Sequence, residues 1–146
     1  MKVHGKNVFN ELDVKKIRKV YLSKSFNDKK IMDIIKSNQI KYVLCDNKIM
    51  DNMIKNNQGI IVDINDYEYS NLESIDSDFV IILDHLEDPH NFGAIIRTSE
   101  AMGIKHIIIP KDRSVSVNET VMKTSAGALN HVNIIQVPNL VNAINY

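Results

Sequence analysis

The chain has 146 residues, 44% hydrophobic and 25% charged, a globular rather than a disordered composition that suits one ordinary domain or two small ones. No apolar run approaches the ~20 residues of a membrane span, no signal-peptide apolar stretch follows Met1-Lys2-Val3-His4, and a lone cysteine, Cys45, excludes a disulfide framework or a cysteine-cluster zinc site and fits a reducing cytoplasm. Net charge is zero, but residues 1–75 hold 13 Lys or Arg against 10 Asp or Glu and residues 76–146 hold 5 against 8, so only the first part leans towards a polyanionic partner.

In chain order, Lys2 to Leu12 reads as a short extended piece turning at Gly5 into a helix with Val8, Phe9 and Leu12 on one face. Strands are expected at 19–23, 40–45 and 59–62, and helices at 28–37, where Ile31, Ile34 and Ile35 have core spacing, and at 47–55. Strands alternating with helices imply βαβ units and a layered α/β domain. The polar stretch from Asn65 to Ser77 has no period and reads as a linker, which places one domain at 1–67, the linker at 68–77 and a second domain at 78–146. The alternation then resumes, with strands at 79–83, 105–109 and 132–137 and helices from Asn118 and from Asn139.

The segment from Leu83 to Gly103 organises the second part. The apolar run Phe79-Val80-Ile81-Ile82-Leu83 is too short and branched for helical turns and reads as a buried strand. Asp88-Pro89 is a helix-start signal, a capping carboxylate before the residue best tolerated at the first helical position. Ala94, Ile95, Ile96, Ala101 and Met102 supply the helical period, and Gly103 is placed to end it. Asp84, His85, Glu87, Asp88, His90 and Asn91 thus crowd the carboxyl end of a strand, the edge at which open α/β sheets bind ligands. These histidines and carboxylates lack a metal-ligand spacing, so no metal is expected. Ser125 lacks a nucleophile-elbow surround, and no Gly-x-Gly-x-x-Gly or Walker sequence is present.

The run Asp88-Pro89-x-Asn91-x-Gly93-Ala94-Ile95-Ile96-Arg97-Thr98 resembles the first signature motif of the SpoU (TrmH-type) RNA ribose 2'-O-methyltransferases of the SPOUT superfamily. The resemblance continues through Ile107-Ile108-Ile109-Pro110, Lys123-Thr124-Ser125-Ala126-Gly127-Ala128 and Val137-Pro138-Asn139-Leu140. The opening Val3-His4-Gly5-Lys6-Asn7-Val8 resembles the start of the small RNA-binding domain that many members carry. The resemblance implies an α/β protein in two parts: a small ribosomal-protein-like RNA-binding domain, then the leading part of a parallel-sheet, trefoil-knot methyltransferase domain. It implies S-adenosyl-L-methionine as cofactor and RNA as substrate, with 23S ribosomal RNA (guanosine) favoured over transfer RNA because the transfer-RNA branch commonly lacks the amino-terminal domain. Full-length members are usually homodimers.

The same resemblance marks Arg97 as catalytic, and Asn91 in the same motif is a second catalytic candidate. A guanidinium suits phosphate binding better than proton acceptance, since it is a poor proton acceptor. The plain alternative is an exposed arginine paired with Glu100 three residues on. Asn91 could hold the ribose or the arginine, or merely satisfy helix-start backbone donors. Gly93, one turn before Arg97, leaves room beside the guanidinium or permits close packing against the strand. For RNA contact, Gly5, Lys6 and Asn7 match the family's amino-terminal turn, and Lys16 and Arg18 belong to a basic cluster that a solvated face would equally explain.

The helix begun at Asn139 has hardly started at Tyr146, and the family's glycine-rich Asn-Glu-Gly loop and Ser-Leu-Asn stretch, which form the knot and bind the cofactor, are not in the sequence. The expectation is therefore an amino-terminal portion, inactive alone, with its cofactor-binding residues elsewhere. Two further readings use the same residues: a noncatalytic RNA-binding module, and a small α/β metabolic enzyme built on the polar loop at 84–91.

Overall fold

The computed structural model describes residues 1–146, which divide into two compact units, Met1–Asp66 and Tyr67–Tyr146. The first holds strands β1 (Lys2–His4), β2 (Ile17–Ser23), β3 (Tyr42–Cys45) and β4 (Ile60–Ile64) with helices α1 (Lys6–Glu11), α2 (Lys29–Ser37) and α3 (Asn47–Met53). The second holds β5 (Ile81–Ile82), α4 (Pro89–Ala101), β6 (His106–Pro110), α5 (Glu119–Thr124), β7 (Asn133–Val137) and α6 (Leu140–Asn145).

In the first unit β2, α2 and β3 form a parallel crossover, with Val20 opposite Tyr42 and Ser23 opposite Cys45. Strand β4 then inserts antiparallel between β1 and β2, giving the order β1-β4-β2-β3. A uniform βαβ reading does not anticipate this reversal, because strand direction is set by pairing partners distant in sequence. The Asp28 carboxylate accepts from the Ile31 N–H at 3.1 Å and caps α2, whose Ile31 and Ile35 are fully buried. Val3, Val20, Leu22, Ile60, Ile61 and Val62 complete the core. Cys45, which its place in an apolar strand would put in the core, lies half-buried on the edge strand β3.

The reversal brings one end of each of the four strands together. The Gly5 N–H donates to the Ile60 carbonyl at 3.2 Å, that of Ser23 to Gly59 at 2.9 Å, and that of Lys24 to Cys45 at 3.1 Å. At the opposite end the Asn65 N–H donates to the Lys16 carbonyl at 3.0 Å, and Ile64 to Met1 at 2.8 Å.

The second unit is a parallel three-stranded sheet, β5-β6-β7. Alternation along its strands sorts the side chains: Ile107, Ile109 and Ile134 face a core with Phe92, Ile96 and Val121, while Ile108, Ile135 and Val137 face Leu72, Ile75, Leu140 and Ala143. Helices α4 and α5 therefore cover one face, and α6 with the turn at Leu72–Ser74 covers the other. The stretch 67–77 is tied into this unit. The Tyr67 and Tyr69 hydroxyls accept from the N–H groups of Ile134 and Val117, Ser70 bridges Ile135, and the Asp76 carboxylate meets His106 Nε2 at 2.8 Å.

The expected buried strand at 79–83 is shorter and more open than its composition implies. Only Ile81 and Ile82 pair, on the sheet edge; Phe79 is 64% exposed and Ile82 39%. An edge strand is covered on fewer sides, and an apolar run cannot reveal which strands lie at the edge. Along α4 the buried residues are Phe92, Gly93, Ile96 and Ser99, whereas Met102, expected on the apolar face, is exposed.

Candidate functional site

Helix α4 is set by local chemistry at its start. The Asp88 carboxylate accepts from the His90 N–H at 2.8 Å, and Pro89 occupies the first turn, where its missing donor costs nothing. Asn91 lies in that first turn and Arg97 two turns further on, both exposed. Six residues correspond to ~9 Å of rise and roughly 120° of rotation, so α4 alone does not bring the two side chains together. Neither side chain forms a hydrogen bond or ion pair within the chain, and Glu100 does not pair with Arg97.

Gly93 explains the geometry beside Arg97. A Cβ at this position would lie 1.8 Å from Thr124 Oγ1 and 2.7 Å from Thr124 Cβ, inside van der Waals contact. The missing side chain thus admits the end of α5, rather than the strand, against α4. Arg97 is one turn beyond Gly93 on the same edge of the helix. Asn91 instead borders an apolar groove of about 430 Å³ with Ile81, Leu86, Ala94 and Ile95.

The carboxyl ends of β5, β6 and β7 enclose a second cleft of about 420 Å³, lined by Asp84, His85, Arg113, Asn139 and Leu140 among others. His85 Nδ1 lies 2.5 Å from Asp84 Oδ1. His85 and Arg113 have φ of 54° and 53°, left-handed conformations that cost side-chain-bearing residues energy and recur at ligand sites. Arg113 was not singled out by sequence reasoning; its place just past the end of β6 on the ligand edge was the available signal. No three His, Cys, Asp or Glu side chains converge as a metal site would require.

In the first unit, Gly5, Lys6 and Asn7 stand where β1 meets α1, with Gly5 at φ 97° and its neighbour Lys6 donating its N–H to Gln58 Oε1 at 3.2 Å. Lys16 and Arg18 stand at the other end, beside Ile64 and Asn65. Four strand rises along β4 separate the two groups by ~13 Å. The five residues therefore fall into two groups at opposite ends of the sheet.

A mixed-sheet unit followed by a parallel-sheet unit, with a cleft at the strand ends and a helix bearing Asn91 and Arg97, defines a two-unit α/β protein. Residues 3–70 match the family described as RNA 2'-O ribose methyltransferase substrate binding, and residues 78–146 match the SpoU rRNA methylase family. The chain is 36% identical over 119 residues to the putative TrmH family tRNA/rRNA methyltransferase YacO of Bacillus subtilis, covering 75% of this chain and 48% of that protein. It is 38% identical over 135 residues to a putative TrmH family tRNA/rRNA methyltransferase of Staphylococcus saprophyticus, covering 78% and 54%. The crystal structure of the SpoU methyltransferase AviRb from Streptomyces viridochromogenes with the cofactor AdoMet superposes with a TM-score of 0.76 at 16% identity, covering 99% of this chain and 56% of that one. The chain belongs to the SpoU (TrmH-type) RNA methyltransferase family, and it spans about half the length of the curated relatives it matches.

Proposed function

We propose that this chain recognises RNA and carries the Asn91–Arg97 helix used in S-adenosylmethionine-dependent methylation of a ribose 2'-hydroxyl, with 23S ribosomal RNA as the substrate and guanosine as the target. The observation that supports it most directly is the order of the two family matches, substrate-binding then methylase, across 3–70 and 78–146. The division into an RNA-binding domain at 1–67, a linker at 68–77 and a methyltransferase part from 78 belongs to the same proposal, as does pairing with a second copy in the full-length protein.

The cofactor would supply an activated methyl group. The cleft at the strand ends is of a size with small-molecule sites, which run from ~300 to 1,000 Å³. Its wall of Ile82, Leu140, Val141 and Ile144 is apolar and Asp84 lines it, but the residues of the resemblance that bind the cofactor are not among its lining. The Asn-Glu-Gly and Ser-Leu-Asn stretches of the resemblance are not among these residues, so the chain alone is proposed to bind RNA without transferring methyl.

The residues present act on the RNA. The planar guanidinium fork of Arg97 donates in a geometry that fits a phosphate next to the target ribose. Asn91 can donate to and accept from a ribose hydroxyl. Their separation along α4 assigns them to different groups of the RNA.

Two titrations test this: ribosomal-RNA and transfer-RNA fragments followed by fluorescence anisotropy, and S-adenosylmethionine followed by calorimetry. Salt-sensitive binding of ribosomal RNA without cofactor heat is the expected pair of results. Cofactor heat would place a complete pocket within 1–146, and failure to bind any RNA would overturn the reading.

A further inference from the structure

The first unit holds a polar pocket that neither Arg97 chemistry nor the basic residues account for. It lies at the end of the sheet where Gly5, Ser23, Cys45 and Gly59 meet, has a volume of about 510 Å³, and is lined by Lys6, Phe26, Asn27, Asn47, Asp51 and Gln58 among others. Its floor is rigid. Asn57, 5% exposed, donates from Nδ2 to the Ile54 carbonyl at 2.8 Å and to Asp51 Oδ1 at 3.2 Å, while its Oδ1 accepts from the Gly59 N–H at 2.8 Å. Ser23, 3% exposed, donates its hydroxyl to Asn47 Oδ1.

Internal bonds use one half of the Asn47 and Gln58 amides and leave the other half for a ligand. Asn47 keeps both Nδ2 hydrogens because its oxygen is engaged by Ser23. Gln58 keeps its Nε2 donors because its oxygen accepts from the Lys6 N–H. Asp51 keeps Oδ2 as an acceptor, and the Asn27 side chain makes no bond within the chain. Phe26 is a half-buried aromatic wall, with Lys6 Nζ 5.5 Å from its ring centroid at the rim.

Charge decides what fits. The single cation, Lys6, already faces the Asp28 carboxylate at 3.8 Å, and Asp51 adds a second negative charge. A phosphate pocket would need an excess of Lys or Arg. An uncharged, flat ligand with both donors and acceptors on its edge matches the amides, the carboxylate oxygen and the ring together. A nucleobase has these properties, provided it is unpaired so that its Watson–Crick edge is free.

We propose that this pocket is a nucleobase subsite that captures one unpaired base of the RNA. Asn27, Asn47, Gln58 and Asp51 read its edge, and Phe26 packs on its ring. The proposal rests on the RNA-substrate reading of the first unit and adds to it a preference for single-stranded over duplex RNA.

The test uses the 146-residue chain labelled with nitrogen-15, titrated with a six-nucleotide RNA single strand containing all four bases and with the duplex of that strand and its complement. The single strand is expected to shift the side-chain amide signals of Asn27, Asn47 and Gln58, and the duplex to leave them in place. Asn27→Ala removes no internal bond and is expected to weaken single-strand binding about fivefold, the loss of one hydrogen bond, with thermal stability unchanged. RNA binding whose shifts are confined to the Lys16 and Arg18 end would overturn the subsite and leave the RNA reading standing. Absence of any shift with either the hexamer or a ribosomal-RNA fragment would overturn both.

Discussion

Gly93 and Thr124, thirty-one residues apart, occupy the same space: a Cβ on the glycine would fall 1.8 Å from the threonine Oγ1. The glycine in the first signature motif is thus the counterpart of the Lys123-Thr124-Ser125 motif, and the pair fixes how α4 lies on α5.

Gly93→Ala is therefore expected to destabilise the fold by about 1–3 kcal/mol, the usual cost of overpacking, although alanine is the better helix former. Thr124→Ala in the same chain should recover part of the loss. Urea unfolding of the two single variants and the double variant measures the coupling, and additive effects would show that the two residues do not touch.

Arg97 carries no internal partner, so Arg97→Ala should change stability by no more than about 0.5 kcal/mol. If its guanidinium contacts one RNA phosphate, the variant lowers the slope of log affinity against log salt by about 0.9 when the contacted stretch is duplex. Arg97→Lys should retain the slope while weakening binding, since the charge remains and the two-pronged geometry is lost. An unchanged slope in the alanine variant would remove Arg97 from the RNA contact.

Asp76 and His106 make the second unit sensitive to acid. The hydrogen bond from His106, 1% exposed on β6, holds the Asp76 carboxyl below its ordinary range. A depressed carboxyl contributes stability that is present above the unfolded-state value of ~3.9 and is lost as pH falls through the lower folded-state value. Asp76→Asn should flatten the loss of stability below about pH 4 and change little at pH 7 beyond the missing bond. Urea midpoints between pH 2.5 and 7 provide the measurement, and parallel acid limbs in the two proteins would contradict it.

Lys6 stands at one end of the sheet and Lys16 with Arg18 at the other, ~13 Å apart along β4. Alanine substitutions at the two ends should therefore have additive effects on RNA affinity, within about 0.5 kcal/mol. Marked non-additivity in the combined variant would mean that one phosphate run is shared by both ends.

Much of this architecture was legible because its signals are local. Asp28, Asp88, Asn118 and Asn139 were each placed at a helix start in the sequence, and each caps through its own side chain to a backbone N–H two or three residues on. Strand and helix periods likewise report contacts of the next few residues. The parallel sheet and the family motifs followed from the same runs.

Three features required the tertiary structure. The antiparallel insertion of β4 between β1 and β2 decides that Lys6 stands at one end of the sheet and Lys16 with Arg18 at the other, a placement that their positions in the sequence do not specify. Edge placement leaves Phe79 and Ile82 open despite their apolar run. The polar pocket gathers Lys6, Phe26, Asn47 and Gln58 from separate segments that the sequence gives no reason to associate. In each case the deciding contacts join residues distant along the chain. Hydrophobic period and capping chemistry specify which elements form, whereas strand order and packing determine which of their ends meet.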